Sequence, residues 1–203
     1  MSMDQERPLR ERLIDAGVEL VMSEGPGALG LREIARRAGV SHGAPRRYFP
    51  THQSLLSAIA RRGFEDLGVR FSAAAAGVRE SSPRERVRAI GRAYVGYALE
   101  HPGMFELMFR HDLLDSAGLA PAEGPRLRES TLSMFDLLVA LVCRCGAAEP
   151  SVTAAALWAN LHGVAQLWRW GSLPLMLGGA PPADGIERLV DAAVDAHLGP
   201  EPV

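Results

Sequence analysis

Apolar side chains recur every three or four residues along most of this chain, and no segment alternates apolar with polar over strand length, so the pattern predicts helices throughout. A first helix is expected from about Pro8 to Ser23, with Leu9, Leu13, Ala16, Gly17, Leu20 and Val21 on one stripe, ended by Gly25–Pro26–Gly27. Leu31, Ile34, Ala35 and Ala38 then share a face. Gly39 follows where a tight turn needs positive φ, Val40 plugs the corner, and Ser41 is placed to cap a short helix from His42 to about Tyr48. A long fourth helix runs from about His52 to Ala75. Pro83 opens a fifth, which His101, Pro102 and Gly103 break before a sixth bearing Met104, Phe105, Leu107, Met108 and Phe109. A loop is expected through Gly118 to Pro125. After it come a seventh helix, apolar almost all round (about Arg126 to Cys145), an eighth (Pro150 to about Trp170), a Gly/Pro link at Gly178 to Pro182, and a last helix striped by Ile186, Leu189, Val190, Ala193, Val194 and His197. The fold class is all-α, with about nine helices. An N-terminal three-helix domain over residues 1–52 precedes a helical bundle over residues 53–203.

The spacing from Leu31 to Ala60 is that of a helix-turn-helix. Ala35 is small where two helices must cross steeply, and the segment after the turn carries His42, Arg46, Arg47 and Tyr48, groups that suit phosphates and base edges. The formal net charge of −2 argues against a nucleic-acid binder until its distribution is considered. Residues 31–62 hold seven Arg and one acid, Glu33, while the remainder holds 15 basic and 23 acidic residues. A basic module on an acidic body favours docking on DNA in one orientation. All 22 basic residues are Arg.

With 47% apolar residues the chain has material for a real core. No apolar run is long enough to cross a bilayer, and MSMDQERPLR lacks the apolar stretch of a secretion signal, so a cytoplasmic protein is expected. Cys143 and Cys145, two apart on a helix, point in different directions and cannot bridge each other; they read as packing residues. His101, Glu106, His111, Asp112 and His162 suggest no metal or acid–base site at their spacing, and there is no H-E-x-x-H, G-x-S-x-G or phosphate-cradling loop. Catalysis is discounted, and no cofactor or metal is called for.

On the eighth helix, Trp158, His162, Gln166 and Arg169 fall on one face, with Leu157, Leu161, Val164 and Trp168 on the adjoining one. The first face suits a pocket with polar anchors, whose apolar wall Tyr94, Tyr97, Phe105, Met108, Phe109 and Phe135 would complete. The alternative is ordinary core around a hydrogen-bonded His162. Gly163 admits close approach of another helix, including a partner's. The stripe Ile186, Leu189, Val190, Ala193 and Val194, together with Leu161, Val164 and Trp168, is expected to form a dimer interface.

The motif R-x-I-A-x-x-A-G-V-S (Arg32, Ile34, Ala35, Ala38 to Ser41), then Gly43, Tyr48-Phe49-Pro50 and Ser54 to Leu56, resembles the TetR family of one-component transcriptional regulators over about residues 8–65. H-P-G-M-F-E-L-M-F from His101 and W-x-x-x-H-G at Trp158, His162 and Gly163 resemble its subgroup with a Trp-His-Gly C-terminal domain. The resemblance implies a ligand-responsive regulator, a repressor, that binds a palindromic double-stranded operator as a homodimer and is released by a small, mostly apolar effector. The second reading is a helix-turn-helix regulator without an effector, whose bundle only dimerises or binds a protein. By resemblance, Arg32, His42, Gly43 and Ala44 face base edges, and Arg46, Tyr48 and His52 meet phosphate; Ser41 and Arg47 complete the set. Four positions depart from the family pattern. Arg46 stands where Tyr is usual, His52 where Lys is usual (a weaker or pH-dependent contact), Pro45 where Leu is common, and Gly30 where Ser or Thr caps.

Overall fold

A computed structural model describes residues 8–78, 82–115, 127–179 and 184–199. Among them there are ten α-helices and no strand: α1 (Leu9–Glu24), α2 (Leu31–Arg37), α3 (Pro45–Tyr48), α4 (His52–Gly77), α5 (Pro83–Glu100), α6 (Pro102–Met108), α7 (Leu127–Arg144), α8 (Pro150–Arg169), α9 (Ser172–Met176) and α10 (Gly185–Leu198), with a 3-10 turn at Pro26–Ala28. The all-α expectation holds. The additional helix is α9, which starts after Gly171 takes a left-handed φ of 76°. The loop expected at residues 118–125 lies outside the described residues.

The chain folds as two compact units, Met1–Asp66 with His101–Thr131, and Leu67–Glu100 with Leu132–Val203. This grouping differs from the boundary expected after residue 52, because the first half of α4 and all of α6 bury their side chains in the first unit. At Gly17 a Cβ would come within 2.3 Å of Ile59 Cδ1, so α1 and α4 cross as closely as a bare backbone allows. A Cβ at Gly63 would meet Met104 Cγ and Met108 Sδ at 2.7 Å, and one at Gly103 would meet the Val21 carbonyl oxygen at 2.3 Å. These contacts explain the break at His101 to Gly103: it lets the start of α6 rest on the last turn of α1. Phe109 packs edge-on against Phe64 and Phe105, with ring centroids 5.7 and 4.9 Å away.

In the second unit α10 packs on α5 and α8. Val190 Cγ1 would lie 2.9 Å from a Cβ at Gly91, with Leu161 alongside. Ion pairs frame this contact: Arg84 to Asp195 (2.9 Å), Arg88 to Asp195 (2.8 Å) and Arg92 to Asp191 (2.7 Å). Arg84 also donates to the carbonyls of Leu198 and Gly199, meeting oxygens that the end of α10 leaves without intrahelical partners.

Candidate functional site

The helix-turn-helix is built as its spacing requires. Ile34 and Ala35 are buried on α2, Gly39 takes φ 67°, and the Val40 amide donates to Ala35 O at 3.0 Å, closing the turn. The next segment is shorter than read from the sequence. Residues 41–44 form a turn in which the Ala44 amide donates to Ser41 O at 3.0 Å, and α3 begins only at Pro45. Proline fits there because the first helical position needs no amide donor. Ser41 therefore makes no side-chain cap. Ala44, expected at a base edge, is buried with Pro45 and Phe49, and Arg46, Arg47 and Tyr48 point outward with Ser41, His42 and Gly43.

Ion pairing sorts the seven arginines of this window. Arg36 holds Glu33 with two bonds of 2.9 and 2.6 Å, and Arg37 holds Glu33 at 3.2 Å as well as Glu24. Arg61 pairs with Glu65 at 3.7 Å, and Arg62 with Glu11 and, at 3.6 Å, with Glu65. The hydrogen bond from Arg36 is the main cause that holds the Glu33 carboxyl down at about 2, so Glu33 stays ionised. Arg32, Arg46 and Arg47 are exposed and have no acidic partner among the described residues. The surplus charge of the module is thus carried by three side chains on α2 and α3. His52 Nε2 donates to Leu29 O at 2.6 Å, which ties the start of α4 to the residues before α2. That bond occupies Nε2 of the ring that the sequence places at a phosphate.

In the second unit, Trp158 Nε1 donates to Tyr94 Oη at 3.0 Å, and that hydroxyl lies 2.8 Å from His162 Nδ1. Indole N–H is only a donor, so the phenol accepts from Trp158 and donates its own proton to His162. The neutral imidazole then carries its proton on Nε2. Burial pushes the Tyr94 phenol well above its ordinary range and pushes His162 down, and both shifts favour the neutral forms this relay needs. Trp158 and His162, one turn apart on α8, are thus fastened to one atom of α5.

Residues 13–59 match the family model described as bacterial regulatory proteins, tetR family, and residues 87–196 match a tetracyclin repressor-like C-terminal domain. The chain belongs to the TetR family. The HTH-type transcriptional regulator BetI of Pectobacterium carotovorum subsp. carotovorum (strain PC1) is 36% identical over 81 residues, 40% of this chain and 42% of BetI. The chain therefore spans about two fifths of the length of the curated relatives it matches. A protein of unknown function from Rhodococcus sp. RHA1 is 30% identical with a TM-score of 0.76, covering 98% of this chain and 97% of its own. The TetR-like regulator LfrR from Mycobacterium smegmatis, solved with proflavine, shares the fold at 18% identity and TM-score 0.59, over 94% and 95% of the two chains. The family is one of bacterial regulatory proteins, and BetI is a transcriptional regulator.

Within this TetR-family chain, the other residues read from the sequence fall in both units. Phe105 and Met108 are buried in the first unit and Phe109 is half-buried there, whereas Tyr94, Trp158 and His162 lie in the second unit, Tyr94 buried, His162 half-buried and Trp158 exposed. Their stripe on α6 is apolar because α1 and α4 cover it. Tyr97 is buried beneath the Arg70 guanidinium, 5.1 Å from its ring centroid. Gln166 accepts from Arg169 at 3.2 Å, and Phe135 is half-buried on α7. The dimer stripe needs a larger correction. Val190, Ala193 and Val194 are fully or nearly fully buried within the protomer against α5 and α8, as are Leu161 and Val164, so they have no surface to offer a partner. Ile186, Leu189 and Trp168 are half-buried. The surface that periodicity missed is the opposite face of α8. Val152, Ala155, Ala156, Ala159, Gly163, Leu167 and Trp170 recur at helical spacing and point away from the core, with Val152 62%, Leu167 40% and Trp170 71% exposed. A Cβ at Gly163 would meet no atom within 4 Å.

Proposed function

We propose that this chain is a cytoplasmic transcriptional repressor that binds a palindromic operator as a homodimer and is released by a small, mostly apolar effector. The observation that carries the DNA-binding reading is the set of three exposed arginines on α2 and α3, Arg32, Arg46 and Arg47, without an acidic partner among the described residues, in a window whose other four arginines are ion-paired. Arg32 reads a base edge, with His42 and Gly43 beside it; Arg46 and Tyr48 meet phosphate, with Ser41 and Arg47 at the same surface. His52 acts by holding the start of α4 in place. The homodimer forms through the outward face of α8, where small residues let two helices approach and Val152, Leu167 and Trp170 supply apolar area. The effector contacts the Tyr94–Trp158–His162 cluster, with Phe135, Tyr97 and Gln166 as further lining. LfrR, which shares the fold, was solved in complex with proflavine, an aromatic molecule.

A second reading keeps the DNA-binding role and drops the effector. It is favoured by the relay itself, which already satisfies the indole N–H and the imidazole Nδ1 that a ligand would need. Gel shift on the DNA upstream of the chain's own gene, with and without candidate aromatic effectors, tests both. A shift released by a ligand supports the first reading, and a shift that no ligand alters supports the second. Failure to bind any inverted repeat would sink both.

A further inference from the structure

A four-residue helix with no side-chain cap does not hold itself in place, because one turn fixes several dihedrals for a single hydrogen bond. The orientation of α3 must therefore be imposed from outside, and two arginines of the first turn of α1 sit where that is done. Arg12 Nη2 donates at 2.6 Å to the carbonyl of Ala38, the residue that ends α2 and immediately precedes Gly39. This carbonyl has no partner within its own helix, and a cation there also complements the helix dipole. At the other end of the segment, the Arg10 guanidinium carbon lies 5.3 Å from the ring centroid of Phe49, the buried residue that ends α3. Arg10 Nη2 is buried without a hydrogen-bond acceptor, so the ring is its counter-group on that side. Glu11, between the two arginines, accepts from Arg10 at 3.3 Å and pairs with Arg62 on α4.

We infer that Arg10 and Arg12 are positioning residues for sequence reading: they hold the two ends of residues 39–49 and so set the angle at which His42, Gly43 and Arg46 meet the duplex. The inference rests on the DNA-binding reading above. It separates α1 from the groups that touch DNA, since the two side chains are spent on a carbonyl and a ring and are not available to neutralise phosphate.

The test uses full-length protein, a duplex enriched by the wild type from a random-sequence pool, and a scrambled duplex of the same composition. Affinities are measured across a salt series below the melting midpoint of each variant. Arg12→Ala and Arg10→Ala should each lower the ratio of enriched to scrambled affinity about tenfold, while scrambled affinity and the salt slope stay at wild-type values. Arg12→Lys, which keeps a charged donor, should recover most of the ratio. A slope reduced by about one unit together with weaker scrambled binding would make these arginines phosphate contacts and overturn the inference. An unchanged ratio with only a lower melting midpoint would make them merely structural and overturn it equally. If the wild type enriches no duplex, the DNA-binding reading falls and takes the clamp with it. If it enriches one and all variants discriminate like wild type, only the clamp falls.

Discussion

Trp158 and His162 are joined through a single oxygen, the Tyr94 hydroxyl, which accepts from the indole at 3.0 Å and donates to the imidazole at 2.8 Å. Removing that oxygen with Tyr94→Phe takes away the indole's acceptor and the imidazole's donor at the α5–α8 contact. The expected cost is roughly 1–3 kcal/mol in urea unfolding. The double change Tyr94→Phe with Trp158→Phe should cost less than the sum of the singles, since the partner left stranded by one change is removed by the other. Strict additivity would mean that the three groups do not act as a unit.

The same relay gives stability a pH dependence. Desolvation lowers the folded-state pKa of His162 from its ordinary 6.5, so between the folded value and 6.5 the unfolded chain binds a proton that the native chain refuses. The contribution is intact above pH 6.5 and is lost as pH falls through that window. Melting midpoints of wild type minus His162→Gln should therefore narrow on acidification from pH 7 to pH 5. A difference that is flat over this range would remove His162 from the account.

Free and paired arginines should separate in a salt series. Arg46→Ala is expected to weaken all duplexes alike and lower the slope of log K against log salt by about one unit. Arg32→Ala should relax preference at one base pair per half-site and cost roughly 1–3 kcal/mol on the best site. Arg36→Ala removes a charge already bound to Glu33 and should alter the slope clearly less than Arg46→Ala. Equal slope changes for Arg36 and Arg46 would show that the ion pairs open on DNA.

Two substitutions distinguish the buried and outward stripes. Val190→Arg puts a charge into a site with no exposure and is expected to unfold the second unit, losing several kcal/mol. Ala159→Arg sits on the outward face of α8 and should leave the melting curve of the protomer intact while giving a monomer by light scattering. A dimer that survives Ala159→Arg would place the interface elsewhere.

Helix content, the order of the helices and the helix-turn-helix were legible in the sequence because each depends on neighbours within a few positions. Apolar residues at three- and four-residue spacing and Gly39 at the turn need no distant partner to be interpreted, whereas α3 starts at Pro45, three residues after the expected His42. Periodicity also identified the apolar stripes of α6, α8 and α10, but a stripe says only that a face is covered, not by what. Packing decided that α6 is covered by α1 and α4, and that Val190 and Val194 fill space over α5 and not over a second chain. Packing likewise supplied Glu24, Glu11 and Glu65 to arginines near and far in sequence, leaving Arg32, Arg46 and Arg47 without an acidic partner among the described residues. The Tyr94 hydroxyl between Trp158 and His162, and Arg12 on the carbonyl of Ala38, are of the same kind. Hydrogen bonds and ion pairs form between groups that the fold brings within about 3 Å, and no local pattern encodes which groups those are.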